Sequence, residues 1–151
     1  MTYLLFLITL AWLPPVGPPA ANTLPMSTHV AASLTIDVSG VKQRKGKLQV
    51  ALYNSDKDFP ETEPYRGEVL NITADNDLKI TFKDLPPGDY AVAVYHDKNS
   101  NGKLDKNLLG VPVEDYGFSN DTRGTRLSAP SFDNTKLRVD GENVELKIEV
   151  R

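Results

Sequence analysis

The sequence contains no cysteine. That excludes disulfide staples, thiolate nucleophiles and thiolate metal sites together. Histidine is almost as scarce, with only His29 and His96 in 151 residues. There is no Gly-x-Ser-x-Gly elbow, no His-Glu-x-x-His pair and no glycine-rich phosphate loop, which removes the commonest sequence signatures of hydrolases, zinc proteases and nucleotide binders. No apolar run is long enough to cross a bilayer as a helix; the run at residues 3–13 falls well short of the roughly 20 residues needed. Nor is there a basic face. The net charge is −3 with both signs interspersed, which sets nucleic acid aside as a partner.

One absence is local. Residues 1–33 hold no Asp, Glu, Lys or Arg, so every charged side chain of the protein lies beyond them. The apolar run at 3–13 is followed by a proline-rich spacer and by the small residues Ala20-Ala21 and Val30-Ala31-Ala32. This is the layout of a removable export signal. We therefore expect residues 1–33 to be a signal peptide and spacer, residues 34–151 to be a single domain, and the protein to be exported to a periplasmic or extracellular location. No cysteine follows the apolar run, so no lipid anchor is expected.

The remaining 118 residues alternate with a period of two. Leu34, Ile36 and Val38 share one face, and so do Leu48, Val50 and Leu52. Residues 68–73 and 78–83 read as a hairpin across 74–77, with Leu70 and Ile72 facing Leu78, Ile80 and Phe82. Residues 90–97 carry apolar side chains on both faces, as expected of a central strand. Residues 136–139 read as a short strand, Asp140-Gly141 as a hairpin turn, and Val144, Leu146, Ile148 and Val150 as the clearest alternation in the chain. No segment carries a helical stripe. About seven short strands separated by turn residues predict an all-β fold, an antiparallel β-sandwich of immunoglobulin-like or prealbumin-like type.

The end of the central strand runs into the most specific pattern present. Asp97, Asn99 and Asn101 stand at positions one, three and five, Gly102 at six, Lys103 at seven and Asp105 at nine, matching the first nine positions of a calcium loop. Calcium needs six to eight oxygens, and alternate residues of a tight coil point theirs inward, with the Lys103 carbonyl as one of them. Position twelve is Leu108 rather than an acid, so further oxygens would come from Glu114, Asp115, Asp121 or water. An incomplete set of this kind implies affinity in the weak range of about 10⁻⁴–10⁻³ M. The same residues also suit a plain turn, because Asp and Asn side chains bond their own backbone and glycine supplies a positive φ.

Residues 110–133 are rich in glycine and proline and show little periodicity beyond a short stretch at 111–113. Long irregular segments in a small domain often carry function. Tyr116, Phe118 and Phe132 are the candidates for contacting a small ligand, a peptide or a carbohydrate; the alternative is that they pin the segment to the sandwich. Phe59 reads as a plug for the proline-containing loop at 54–66. A carboxylate hydrolase built on Glu114 with Asp115 or Asp121 is the less favoured alternative, and His96 at a strand end suits a structural hydrogen bond better than a general base.

Two resemblances bear on these residues. The segment His96-Asp97-x-Asn99-x-Asn101-Gly102-Lys103-Leu104-Asp105, followed by Gly110-x-Pro112-x-Glu114-x-Tyr116-Gly117-Phe118-Ser119-Asn120, resembles domain-of-unknown-function family 2141, and Phe59-Pro60 and Pro130-Ser131-Phe132 fit it too. That resemblance implies a small exported bacterial protein with no established activity. Asp97, Asn99, Asn101 and Asp105 after a strand, with the turn Leu85-Pro86-Pro87-Gly88 before it, are also similar to the calcium-binding B-type, Cna-B-like repeats of surface adhesins. This implies that the four residues are calcium ligands, although Leu108-Leu109 stand where those repeats carry acids. The expectation is a non-catalytic exported module with a protein or carbohydrate partner and, as its one cofactor, a loop-bound Ca2+.

Overall fold

In the computed structural model, residues 31–57, 59–61, 63–125, 128–141 and 143–151 are described. The predicted signal segment therefore lies, through residue 30, outside the described residues. Within the described residues, eight strands form two sheets. β1 (Ala32–Ser39) lies between β4 (Lys79–Leu85) and β8 (Asn143–Glu149) in the first sheet. β2 (Lys47–Tyr53) lies between β3 (Arg66–Asn71) and β5 (Gly88–Asp97) in the second, and β5 carries β6 (Tyr116–Phe118) beyond it. β7 (Leu137–Val139) pairs with the first residues of β5. Among the described residues the only helical pieces are a 3-10 turn at Ser119–Asp121 and α1 (Phe132–Thr135). Among the described residues no helix is long and apolar enough to cross a membrane.

The period of two does what it predicts. Leu34, Ile36 and Val38 of β1, Leu48, Val50 and Leu52 of β2, and Tyr90, Val92 and Val94 of β5 are all buried in one core between the sheets, around the fully buried Phe82. Apolar side chains on facing inner surfaces are what hold two sheets together. β1 begins at Ala32, two residues before the alternation becomes apparent in the sequence, and Ala32 is itself buried.

Three local expectations are corrected. Residues 68–73 and 78–83 do not form a hairpin: β3 pairs with β2, whereas β4 pairs with β1 in the opposite sheet. Leu70 and Ile72 do face Leu78, Ile80 and Phe82, but across the core rather than along a ladder. The crossing is closed by Asn76, whose side chain accepts from Thr73 N at 2.9 Å and donates to Asn71 O at 2.9 Å. Asp140-Gly141 is likewise not a hairpin turn. β7 pairs with β5, while β8 runs parallel to β1. In the 110–133 segment the strand is at Tyr116–Phe118, whereas Pro112 makes only an isolated bridge to Lys106.

β6 is pressed close to the other sheet. A Cβ on Gly117 would stand 2.7 Å from Glu149 O and 2.8 Å from Ile148 Cγ2, so only glycine fits there. Tyr116 and Arg151 exchange backbone hydrogen bonds of 3.2 and 3.1 Å across this contact. The sandwich is therefore closed along one side, which fixes Tyr116 and Phe118 on its outer surface.

Candidate functional site: an outer-face groove and its loop

The odd-numbered residues of β5 point away from the core. Ala91 is covered, but Ala93 and Tyr95 are only partly buried. In register, Ala93 is flanked by Ala51 and Phe118, and Tyr95 by Gln49 and Tyr116. Two alanines side by side leave a trough, and the rings on either side give it walls. The resulting groove has a volume of about 260 Å³, with Tyr53, Tyr95, Tyr116 and Phe118 around the alanine floor. Pro60 and Glu61 line it from the loop after β2, and Leu104 and Lys106 from the chain after β5.

Each wall has a structural cause. The Tyr53 hydroxyl donates to Pro60 O at 3.0 Å, and Phe59 packs edge-on to Tyr53, Phe118 and Phe132 at 4.9, 6.0 and 5.9 Å. Phe59 is thus the plug that the sequence suggested. Phe132 lies beneath it, buried with Tyr53 and Ala91. Of the three predicted ligand-contacting aromatics, Tyr116 and Phe118 line the groove and Phe132 does not. Phe118 is itself mostly buried, so Tyr116 presents the accessible ring. Ser119 locks the segment behind them, accepting from Val92 N at 2.9 Å and donating to Thr135 O at 2.7 Å.

The other wall is carried by the 97–105 loop. Asp97 is fully buried at its start. Its carboxylate accepts from Asn101 N at 3.0 Å, Gly102 N at 2.8 Å and Gln49 Nε2 at 3.1 Å. Burial alone would push this carboxyl up; the donors from Gly102, Gln49, Asn101 and Ser100 outweigh it and hold the group below the usual carboxylate range. Asn99 Oδ1 accepts from Asn101 N at 3.0 Å and Asn101 Oδ1 from Lys103 N at 2.8 Å, while their amide nitrogens donate to the two oxygens of Asp105 at 2.7 and 3.0 Å. Gly102 takes a φ of 76° to make the bend. Asp97, Asn99, Asn101 and Asp105 are therefore brought together as predicted, and Lys103 contributes a backbone N–H to the turn.

Each side-chain oxygen of this set accepts a hydrogen bond from within the loop or from Gln49. Among the described residues no group of three His, Cys, Asp or Glu side chains is arranged to hold a metal ion, and Leu108 at position twelve points its whole side chain to solvent.

Of the three acids proposed to complete the set, one reaches the loop. Glu114 is buried and bridges its two ends, accepting from Lys98 N at 2.8 Å and Asp105 N at 3.1 Å. Asp115 instead pairs with Lys98 at 3.1 Å and Lys42 at 3.2 Å. Asp121 lies near Arg151 at 3.6 Å. Neither Glu114 nor Asp115 lines the groove. His96 is fully buried, its Nε2 donating to Lys45 O at 2.7 Å, so it pins β5 to the turn before β2 and stays out of reach of any solute.

Beside the loop, Tyr95 has its phenol pushed up by burial first, then by the Asp97 and Glu114 carboxylates and Tyr53. Its hydroxyl therefore stays protonated and able to donate. Among the described residues neither the Tyr95 nor the Tyr116 hydroxyl has a hydrogen-bond partner. Sequence reasoning missed this groove. Its signal was present in the pair Ala91 and Ala93, small residues on one face of a strand whose other face is large.

The family model described as "Uncharacterized protein conserved in bacteria (DUF2141)" matches residues 36–147. The chain belongs to the DUF2141 family. Both the loop and the groove of this DUF2141 chain lie inside the matched region. Among curated proteins none matches it. Two solved structures resemble it loosely. The pilus-presented adhesin Spy0125 (Cpa) is 14% identical with a TM-score of 0.32, over 84% of this chain and 27% of the adhesin chain. A cysteine-to-alanine variant of that adhesin is 15% identical with a TM-score of 0.31, over 82% and 27%. The DUF2141 chain thus spans little more than a quarter of the adhesin's length, and at these scores the likeness goes no further.

Proposed function

We propose that this protein is an exported, non-catalytic β-sandwich that binds an extended carbohydrate across the outer face of its five-stranded sheet. The observation that carries this reading is the alanine-floored groove bordered by Tyr95 and Tyr116, whose hydroxyls have no partner among the described residues. Sugar rings present an apolar face and a rim of hydroxyls. Aromatic rings with a polar tip suit both, the ring stacking and the hydroxyl donating. Glu61 and Lys106, which both line the groove, add an acceptor and a donor. The non-catalytic part is supported by the engagement of Glu114, Asp115 and His96 in internal contacts away from the groove.

The test is saturation-transfer-difference NMR against a panel of soluble hexose and N-acetylhexosamine oligosaccharides. Transfer to a sugar that disappears in Tyr116→Ala, with the far-ultraviolet spectrum unchanged, supports the reading. A panel without a binder at millimolar concentration removes it, as does binding indifferent to Tyr116→Ala.

For the 97–105 loop we propose a turn that keeps its shape without metal and uses its rigidity to hold Leu104 and Lys106 at the groove. A thermal melt in EDTA and in millimolar calcium should give the same Tm, since an ion that does not bind the native state cannot stabilise it. A calcium-dependent rise lost in Asp97→Ala would restore the cation loop.

A further inference from the structure

The chain that leaves the loop makes a narrow finger. Val113 N donates to Asp105 O at 2.8 Å, Lys106 bridges to Pro112, and Asn107 N donates to Val111 O at 2.8 Å. At its tip stand Leu108 and Leu109, with relative exposures of 106% and 80%, the most exposed large apolar side chains among the described residues. Val113, lower on the finger, is 57% exposed. Two bare leucines at the end of a braced ribbon have no role in the core and none in the groove.

Part of the tip's backbone is satisfied from within. Asn107 Oδ1 accepts from Leu109 N at 2.9 Å and Val111 N at 3.1 Å, and Asn107 O accepts from Gly110 N at 2.9 Å. Three successive amides are thus covered from within. Amides covered from within lower the cost of bringing an apolar tip into a dry environment, where each unpartnered N–H costs several kcal/mol.

Charge identifies the surface. Lys103 and Lys106 are exposed and form no ion pair among the described residues. Residues 106–113 contain no acid. The nearest acidic groups, Asp105 and Glu114, are held by the loop's own donors. Cationic side chains behind an apolar tip complement a layer of anionic headgroups above hydrocarbon. We infer that the Leu108-Leu109 tip inserts into an anionic lipid surface, with Lys103 and Lys106 at headgroup level. This stands apart from the carbohydrate reading, since the leucines do not line the groove.

Residues 3–13 are apolar too, so bulk vesicle binding would not isolate the tip. The chain's lack of cysteine allows a local probe. Leu109→Cys in the full chain, labelled with an environment-sensitive fluorophore, is mixed with vesicles of phosphatidylglycerol and phosphatidylcholine in a one-to-three ratio. The expected result is a blue shift and brighter emission with these vesicles but not with phosphatidylcholine alone. The shift should be lost between about 0.1 M and about 1 M salt as the screening length falls from ~10 to ~3 Å. A label at Asp140→Cys, beyond β7 and at the opposite end of β5, should not respond. Adding Leu108→Ser to the labelled protein should weaken partitioning about tenfold, and adding Lys103→Gln about fivefold. Three results overturn the inference: no shift with anionic vesicles, an equal shift with neutral ones or at high salt, or a concentration-dependent shift without vesicles, which would mean that a second copy covers the tip.

Discussion

On one side of β5, Tyr90, Val92, Val94 and His96 are sealed beneath the opposite sheet; on the other, Ala91, Ala93, Tyr95 and Asp97 run from a covered end into an open groove. The backbone and ladder are common to both faces. What differs is size and polarity. The inner face uses volume to exclude water, and the outer face uses small residues to admit a solute and aromatic rings to receive it. Because both belong to one central strand, anything that tilts the inner packing also reshapes the groove. The difference shows why a small domain can keep an open surface rigid: the floor of the site is the back of its own core.

The contrast can be broken most severely from inside. Phe82→Ala removes the largest fully buried side chain and should cost about 3–5 kcal/mol in a denaturant titration, with loss of groove binding following only from unfolding. Asp97→Ala comes next. It strands the Gly102, Asn101 and Gln49 donors, and about 3 kcal/mol is expected, since bonds to a charged acceptor are worth about 1.5–3 kcal/mol and do not add fully. The acid limb sharpens the same point. The Asp97 carboxyl is held below the unfolded value of 3.8, so the unfolded state takes up protons first as pH falls. Its stabilisation is complete above that value and is lost as pH drops through the lower folded one. Equilibrium unfolding across this range should fall steeply in the wild type and less so in Asp97→Asn. The smallest effect on stability belongs to the outer face. Tyr116→Ala and Ala93→Leu should each change stability by about 1 kcal/mol or less, yet abolish ligand binding, the first by removing a ring and the second by filling the trough. A binding isotherm beside an unfolding curve checks both.

Much of the architecture was legible from period-two alternation, because a half-buried strand must repeat large and apolar on one face. That is why Leu34, Ile36 and Val38 and the run from Val144 to Val150 were read correctly. Alternation says which residues face inward but not which sheet they join. Residues 74–77 looked like a hairpin turn for that reason, when the flanking Ile72 and Leu78 are instead the two core contacts of a crossing between sheets. The loop at 97–105 was legible because Asx and Gly chemistry is local. The clasp by Glu114 was not, since nothing in its neighbours reveals that its oxygens return to Lys98 and Asp105. The finger was visible only as a fault, Leu108 where a ligand was expected. Its exposure is a fact of three dimensions.

β1 supplies a consequence of another kind. It sits between β4 and β8 and runs parallel to β8, so Ser33 is hydrogen-bonded to Asn143 across a separation of 110 residues. Among the described strands, the first to be synthesised waits for the last. Until β8 is available, one edge of β1 stays unpaired and Leu34, Ile36 and Val38 lack part of their cover. Contacts this distant in the chain slow folding, because loop-closure entropy must be met before they reward it. A polypeptide emerging from the ribosome therefore holds β1 in an incomplete sheet until β8 has been made.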